Sequence, residues 1–195
     1  MGLAIDFGAA FRPQYINYMA ENGADKALAI DYHDAKLDAG IDFHKADFSE
    51  DAIAPWVSNY RKNLDGLCLG VSFDTMLHQY SPVRVLMNML SVLDAVCIGT
   101  PVLKDGIEAS VFLPAVPKEK QGELFPYSWM SKEMGTTEEA RFSDPDKYGW
   151  GNWLWGLNDT LLKTWISRGG FKIEEERRIP RPNAWDWWGC YAKRK

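Results

Sequence analysis

The chain has 195 residues, 46% of them hydrophobic, which suits one compact domain with a substantial core. Its net charge of -5 gives no support to a broad surface that binds phosphate groups, so the composition does not favour nucleic acid as the partner. Its three cysteines lie singly in apolar runs, as is typical of reduced thiols and not of disulfides or metal ligands. The sequence has neither the pattern of a secretion signal nor that of a membrane helix, so we expect a cytoplasmic protein that does not enter a membrane.

The first predicted element is a buried strand over residues 3–7 that leads directly into a tight turn and a helix. The strand carries Asp6 near its end, and Gly8 and Ala9 follow at once. A glycine at this place allows a positive φ and a close approach of a ligand to the backbone. Alanine, with its small side chain, also leaves space for a ligand beside the turn. This pattern opens nucleotide-binding α/β domains, and an ordinary strand-to-helix turn is the alternative.

Two further predicted strands also end in acidic residues. After a helix over residues 13–22, the apolar run 26–31 ends in Asp31, and a third strand over residues 41–47 ends in Asp47. The interval of about 25 residues between Asp6 and Asp31 is that of a βαβ unit whose second acid contacts ribose hydroxyls. A polar loop after the strand is the alternative for Asp31, but the repeated order of strand and acid favours a ligand site.

The rest of the chain continues the alternation of helices and strands. Helices are predicted over residues 53–64 and 82–93, the second with Ser81 as its N-cap, and strands over residues 67–72 and 95–99. Residues 104–156 show weak periodicity and several breakers, which indicates a lid or insertion. Asn158 then caps a helix that stops at Gly169, and two strands over residues 171–176 and 188–193 close the domain.

The predicted elements are five βα units, a helix that ends in Gly-Gly-Phe at residues 169–171 and a closing antiparallel pair. With this set of elements, the chain resembles the class I S-adenosylmethionine-dependent methyltransferases. The resemblance covers nearly the whole chain. It implies an α/β fold with a Rossmann-like doubly wound sheet, mostly parallel with a C-terminal antiparallel hairpin, in a single domain that spans residues 1–195. It also implies S-adenosylmethionine as the cofactor.

The resemblance further implies which residues contact this cofactor. In the family, the first-strand acid and the glycine turn hold the methionine part, the second-strand acid holds the ribose, and the third-strand acid contacts the adenine amine. Carried over by position, with their chain neighbours, the cofactor-binding residues are Asp6, Phe7, Gly8, Ala9, Asp31, Tyr32, Asp47, Phe48, Gly70 and Val71.

A narrower similarity suggests a catalytic histidine. Two parts of the chain are similar to segments of the branch that includes the tRNA wobble-uridine carboxymethyl- and methyltransferase relatives. They are residues 70–71 followed by residues 78–82, and the later stretch 106–114. The match departs from that branch by about four extra residues before the histidine. His78 is the candidate base for an acceptor that must lose a proton, because an imidazole has a pKa near 6.5 and the residue is predicted just beyond the fourth strand. The alternative is a packing or surface histidine.

Nine tryptophans, several of them clustered, are the candidates for an acceptor site. Family resemblance places residues 150–155 and residues 185–188, the predicted connection between the closing strands, over the ligand edge of the sheet. Aromatic side chains there would stack on a planar or sugar acceptor, and extra core or a dimer surface is the alternative. An arginine in the last connection would meet an anionic acceptor or remain solvated. The predicted substrate-binding residues are Tyr80, Trp150, Trp153 and Arg178.

The predicted function is therefore an S-adenosylmethionine-dependent methyltransferase that acts on a small-molecule acceptor. A tRNA-modifying alkyltransferase is the alternative within the same chemistry, and a non-catalytic cofactor-binding or interaction module is the alternative outside it. The spacing of histidines, cysteines and acids suggests no metal site. Family members cover the cofactor with helices before the first strand, and a homodimer or a partner chain is one source of that cover here.

Overall fold

A computed structural model of the chain describes residues 2–9, 13–47, 52–103, 110–112, 155–181 and 186–195. Seven strands form the main sheet: β1 Leu3–Phe7, β2 Lys26–Asp31, β3 Ile41–Lys45, β4 Cys68–Phe73, β5 Ala95–Val102, β8 Phe171–Ile179 and β9 Asp186–Arg194. The α-helices are α1 Gln14–Glu21, α2 Ile53–Arg61, α3 Pro82–Val92 and α4 Asp159–Arg168, and a short 3₁₀ helix spans Met76–His78. No helix in these ranges is long and apolar enough to cross a membrane.

The strands of the main sheet lie in the order β3-β2-β1-β4-β5-β9-β8. The first five are parallel, whereas β9 is antiparallel to both β5 and β8. This confirms the predicted α/β, mostly parallel sheet with a C-terminal antiparallel hairpin. The direction of strand succession reverses between β1 and β4, and ligands of such sheets bind in the crevice at the carboxyl ends of the strands flanking this point.

Each face of the sheet has its own apolar core. On one face, β1 contributes Leu3, Ile5 and Phe7 to a core that α2, α3 and α4 cover. On the other face, α1 places Ile16 and Met19 against small residues of β1 and β2. Every residue of β1 is buried, as expected for a central parallel strand covered on both faces. Burial of one such large apolar side chain stabilises the fold by about 1.5–3 kcal/mol.

The two ends of the predicted insertion meet. Strand β6, Val111–Phe112, pairs with β7, Trp155–Gly156, in a separate antiparallel sheet. The backbone amide of Leu103 also donates a hydrogen bond to the carbonyl of Leu157 at 2.8 Å. The described residues on either side of the predicted insertion thus lie close together, between the end of β5 and the start of α4. Residues 104–109 and 113–154 of the predicted lid lie outside the described residues.

Ser81 is the N-cap of α3, and Pro82, whose fixed φ suits the first helical position, follows it as predicted, but the side chain of Ser81 makes no capping hydrogen bond. One local prediction is wrong. Trp187 was expected in the connection between the closing strands, but it lies within β9, because the pairing of β9 with β5 continues to Pro101 and Val102. Trp188 is 1% exposed and belongs to the core under the helices.

Candidate functional site

The turn after β1 is held between its two neighbouring strands. Gly8 has a φ of 98°, and its backbone amide donates to the carbonyl of Ile30 in β2 at 2.9 Å. On the opposite side, the Thr75 hydroxyl, just after β4, donates to the carbonyl of Phe7 at 3.1 Å. A Cβ at position 8 would lie 2.2 Å from Thr75 Oγ1. Glycine is therefore required both by the left-handed backbone and by this contact within the chain.

Asp6 is a buried acid for which the described residues supply no counter-charge. Its side chain is 2% exposed, and its Oδ2 has no hydrogen-bond partner among the described residues. Asp31 lies on the adjacent strand β2, two residues beyond Ala29, which pairs with Asp6, and therefore on the same face of the sheet. Burial and, to a smaller degree, the charge of Asp31 raise the pKa of Asp6 to about 8. This crevice therefore favours a cationic or hydrogen-bond-donating ligand group.

Asp31 is itself held in a defined orientation. It is 7% exposed, and one carboxylate oxygen accepts a hydrogen bond from the backbone amide of His33 at 2.8 Å. Tyr32, in contrast, is 65% exposed and packs edge-on against the His33 ring. Asp47 lies exposed just after β3, while the predicted adenine neighbour Phe48 lies outside the described residues. The structure thus brings Asp6, Gly8 and Asp31 together at the carboxyl edge of the sheet.

The segment after β4 completes this edge. Asp74 has a φ of 58°, a left-handed conformation uncommon outside glycine, and its amide donates to the carbonyl of Gly99 at 2.8 Å. Strained residues of this kind concentrate at functional sites. The 3₁₀ helix then carries His78, which is half-buried, and Tyr80 follows at 74% exposure.

Sequence reasoning missed Asp74 and Thr75. Asp74 follows the fourth apolar run by the same order of strand and acid that identified the first three acids. The prediction ended that strand at residue 72, one residue short of its last residue, Phe73. Extending the strand by one residue would have found this acid.

Gly70 and Val71 lie deeper in β4. A Cβ at Gly70 would lie 2.3 Å from a methyl carbon of Leu93, so packing against the segment after α3 accounts for this glycine. Val71 pairs with Asp6 across β1 and β4, and its side chain belongs to the core on the same face, beside that acid. The position of Gly70 is three residues before the end of β4, away from the carboxyl edge.

Arg178 is engaged by groups of the protein itself. Its guanidinium contacts Asp186 at 3.0 Å and Asp159 at 3.3 Å, and donates to the carbonyl of Leu103 at 2.8 Å. These contacts join β8, β9, the start of α4 and the chain leaving β5. Of the predicted aromatic wall, Trp150 and Trp153 lie outside the described residues.

No protein-family model matches the chain, and no curated protein matches it significantly in sequence. Solved structures do match. The 1,6-didemethyltoxoflavin-N1-methyltransferase of Burkholderia thailandensis, crystallised with S-adenosylhomocysteine, is 14% identical with a TM-score of 0.57, over 100% of this chain and 71% of that one. Magnesium protoporphyrin IX methyltransferase of Synechocystis, also with bound S-adenosylhomocysteine, is 13% identical with a TM-score of 0.57, over 100% and 74%.

A third match, the [4+2]-cyclase SpnF, is 12% identical with a TM-score of 0.60, over 99% of this chain and 75% of that one. At these identities the likeness establishes the fold alone. The strand order, the antiparallel β9 and these matches agree. The chain therefore has the Rossmann-like fold of class I S-adenosylmethionine-dependent methyltransferases.

Proposed function

We propose that the chain binds S-adenosylmethionine at the carboxyl edge of β1 and β2 and transfers its methyl group to a small-molecule acceptor. The observation that carries this proposal is the buried carboxyl of Asp6, whose Oδ2 has no hydrogen-bond partner among the described residues. A buried polar atom of this kind is costly unless a ligand satisfies it. The ammonium of the methionine part would supply the missing donor, and the shared fold supports the same cofactor.

The remaining cofactor contacts follow from the geometry of the edge. The Gly8 turn, with Phe7 and Ala9, would lie along the methionine part, and the oriented carboxylate of Asp31 would accept hydrogen bonds from the ribose hydroxyls. Tyr32, Asp47 and Phe48 are proposed around the ribose and adenine, and Val71 lies beside Asp6 on the adjacent strand. Gly70 is not part of the proposal, because Leu93 accounts for it.

The bound cofactor supplies an electrophilic methyl group, and the protein's contribution to an in-line displacement is alignment. Correct positioning of two reactants is worth up to about 7–11 kcal/mol of the barrier. Where the acceptor must lose a proton, we assign that step to the imidazole of His78, which follows β4 at the ligand edge.

A small molecule is favoured over tRNA as the acceptor because the net charge is -5. One observation favours a second candidate, a cofactor-binding protein that does not transfer methyl groups. SpnF, which has the same fold, is a [4+2]-cyclase. Binding and transfer therefore need separate measurements.

The test is calorimetric titration of the purified chain with S-adenosylhomocysteine and with S-adenosylmethionine. We expect saturable binding at micromolar concentrations, about -8 kcal/mol, and an affinity lower by about tenfold or more in Asp31→Ala. The matched control is Asp34→Ala, an acid of the same loop whose side chain is 83% exposed and pairs with Lys45. The control should bind within about twofold of the unaltered chain.

Two results would overturn parts of the proposal. Absence of binding to either nucleoside in the unaltered chain would remove the cofactor assignment. Equal affinities in Asp31→Ala and Asp34→Ala would remove the ribose contact. His78→Ala should lower turnover while leaving the affinity for S-adenosylhomocysteine intact, and an unchanged rate would return His78 to a packing role.

A further inference from the structure

One part of the sheet has a face that no described helix covers. Helices α2, α3 and α4 pack on the opposite face, and α1 packs mainly over β1, β2 and β3. Over β4, β5 and β9, the face on the side of α1 carries half-buried aromatic and sulfur-containing side chains. This partly exposed face begins at the carboxyl edge, beside the crevice assigned to the cofactor.

Three aromatic rings from three different elements cross this face in a row. The ring of Tyr15 in α1 lies 4.4 Å from that of Phe73 in β4, with a tilt of 35°. The Phe73 ring lies 6.2 Å from that of Trp187 in β9 and is nearly parallel to it, at 15°. Both spacings are in the range in which aromatic rings attract one another. We refer to Tyr15, Phe73 and Trp187 as the aromatic row.

Glycines of the sheet determine where Trp187 lies. Gly99 and Gly189 are paired directly across β5 and β9. A Cβ at Gly99 would lie 2.2 Å from the indole, and one at Gly189 would lie 2.6 Å from it. The same Cβ at Gly99 would lie 2.4 Å from the Phe73 ring. The indole therefore packs against the backbone at both glycines, and it remains partly exposed.

The aromatic row is continuous with the candidate cofactor site. Phe73 is the last residue of β4, and the next two residues are the strained Asp74 and Thr75, whose hydroxyl contacts the carbonyl of Phe7 at the end of β1. The three rings themselves carry no ionised group.

We propose that the aromatic row is the acceptor-binding wall and that the acceptor is a small, neutral, planar aromatic molecule. This inference rests on the proposed function, and it specifies the substrate class of that site. Stacking is geometrically specific, and each aromatic pair contributes about 0.5–1.5 kcal/mol beyond the area it buries. A nucleobase within RNA would present the same ring but would also bring phosphates, which the acidic chain does not attract.

The probe is 2-naphthol, titrated by calorimetry into the full chain with and without saturating S-adenosylhomocysteine. Phe73→Leu and Trp187→Leu should each weaken 2-naphthol binding by about tenfold, or about 1.4 kcal/mol, while binding of S-adenosylhomocysteine stays within about twofold. Trp187→Phe, which keeps a ring over Gly99, should restore most of the affinity. Tyr191→Leu is the matched control, because Tyr191 is half-buried on the same face but pairs with Cys97, farther from the carboxyl edge.

The outcomes separate this inference from the proposed function. Binding of S-adenosylhomocysteine without any binding of 2-naphthol overturns the inference and leaves the cofactor assignment standing. Equal losses of affinity for 2-naphthol in Tyr191→Leu and Trp187→Leu also overturn it, because 2-naphthol would then bind the apolar face without preference for the aromatic row. If sedimentation shows a dimer that Trp187→Leu dissociates without weakening 2-naphthol, the row is a contact between two copies of the chain and the inference fails. Unchanged thermal unfolding of each variant establishes that losses are local.

Discussion

The carboxyl of Asp6 links the candidate site to the pH dependence of folding. Its pKa of about 8 in the fold, caused first by burial and then by Asp31, exceeds the ordinary value of 3.8. Between these values the folded chain holds a proton that the unfolded chain has lost, so the free energy of unfolding falls as pH rises from about 4 to about 8. The contribution is on the order of a few kcal/mol. We expect Asp6→Asn to flatten this slope and to raise the melting temperature at pH 8, measured by thermal unfolding at several pH values.

Asp34→Asn is the matched control for this measurement, since its side chain is 83% exposed. The control should follow the pH profile of the unaltered chain. A profile of Asp6→Asn that is parallel to that of the unaltered chain would show that Asp6 is ionised in the fold at neutral pH. The same variant should also lose affinity for S-adenosylhomocysteine if Asp6 contacts the ammonium, so stability and binding would change in opposite directions.

Among the elements, β8, β9 and α4 are joined through one side chain. Arg178 in β8 contacts Asp186 in β9 and Asp159 at the start of α4, and donates to the carbonyl of Leu103. We expect Arg178→Met to lower the free energy of unfolding by about 1–3 kcal/mol, because it leaves two partly buried carboxylates without this partner. Urea unfolding measures the change. Lys172→Met, in the same strand, should change it by less than about 0.5 kcal/mol, because Lys172 is 68% exposed.

Equal stabilities of these two variants would contradict a structural role for Arg178. Its predicted contact with the acceptor would then be the better account of the residue, and acceptor binding in Arg178→Met would be the next measurement. Stability separates the two roles, because only the structural role predicts a loss of stability in Arg178→Met. 2-Naphthol carries no negative charge, so a contact between Arg178 and an anionic acceptor would have to be tested with an anionic probe. Loss of stability with unchanged 2-naphthol binding is the result expected from the contacts of Arg178.

How far the sequence predicts the fold can be seen from two elements. Strand β1 was recognised because a fully apolar run that ends in an acid and a glycine has few other structures available. The start of β9 was missed because tryptophans near a proline are compatible with either a strand or a loop. Only the pairing with Pro101 and Val102 of β5 shows that they begin a strand. The predictions for Asp6, Gly8 and Asp31 came from their positions in the chain, and the structure places the three at the same carboxyl edge of the sheet. Phe73 and Trp187 were not found as neighbours, because they lie more than a hundred residues apart and no local pattern joins them.

At the scale of the whole molecule, charge supports the proposed small-molecule acceptor over tRNA. The chain carries a net charge of -5, and several cations of the described residues are already paired with carboxylates. These cations are Lys45, Arg61, Lys163, Lys172 and Arg178. Each phosphate that a protein neutralises adds about -0.7 to -0.9 to the slope of log affinity against log salt. We expect fluorescence anisotropy with labelled tRNA to give no saturable binding at about 0.15 M salt, on a preparation that binds S-adenosylhomocysteine. Saturable binding with a slope of about -3 or steeper would contradict this expectation. It would mean that basic residues of the chain form a groove that holds about four phosphates, in spite of the negative net charge.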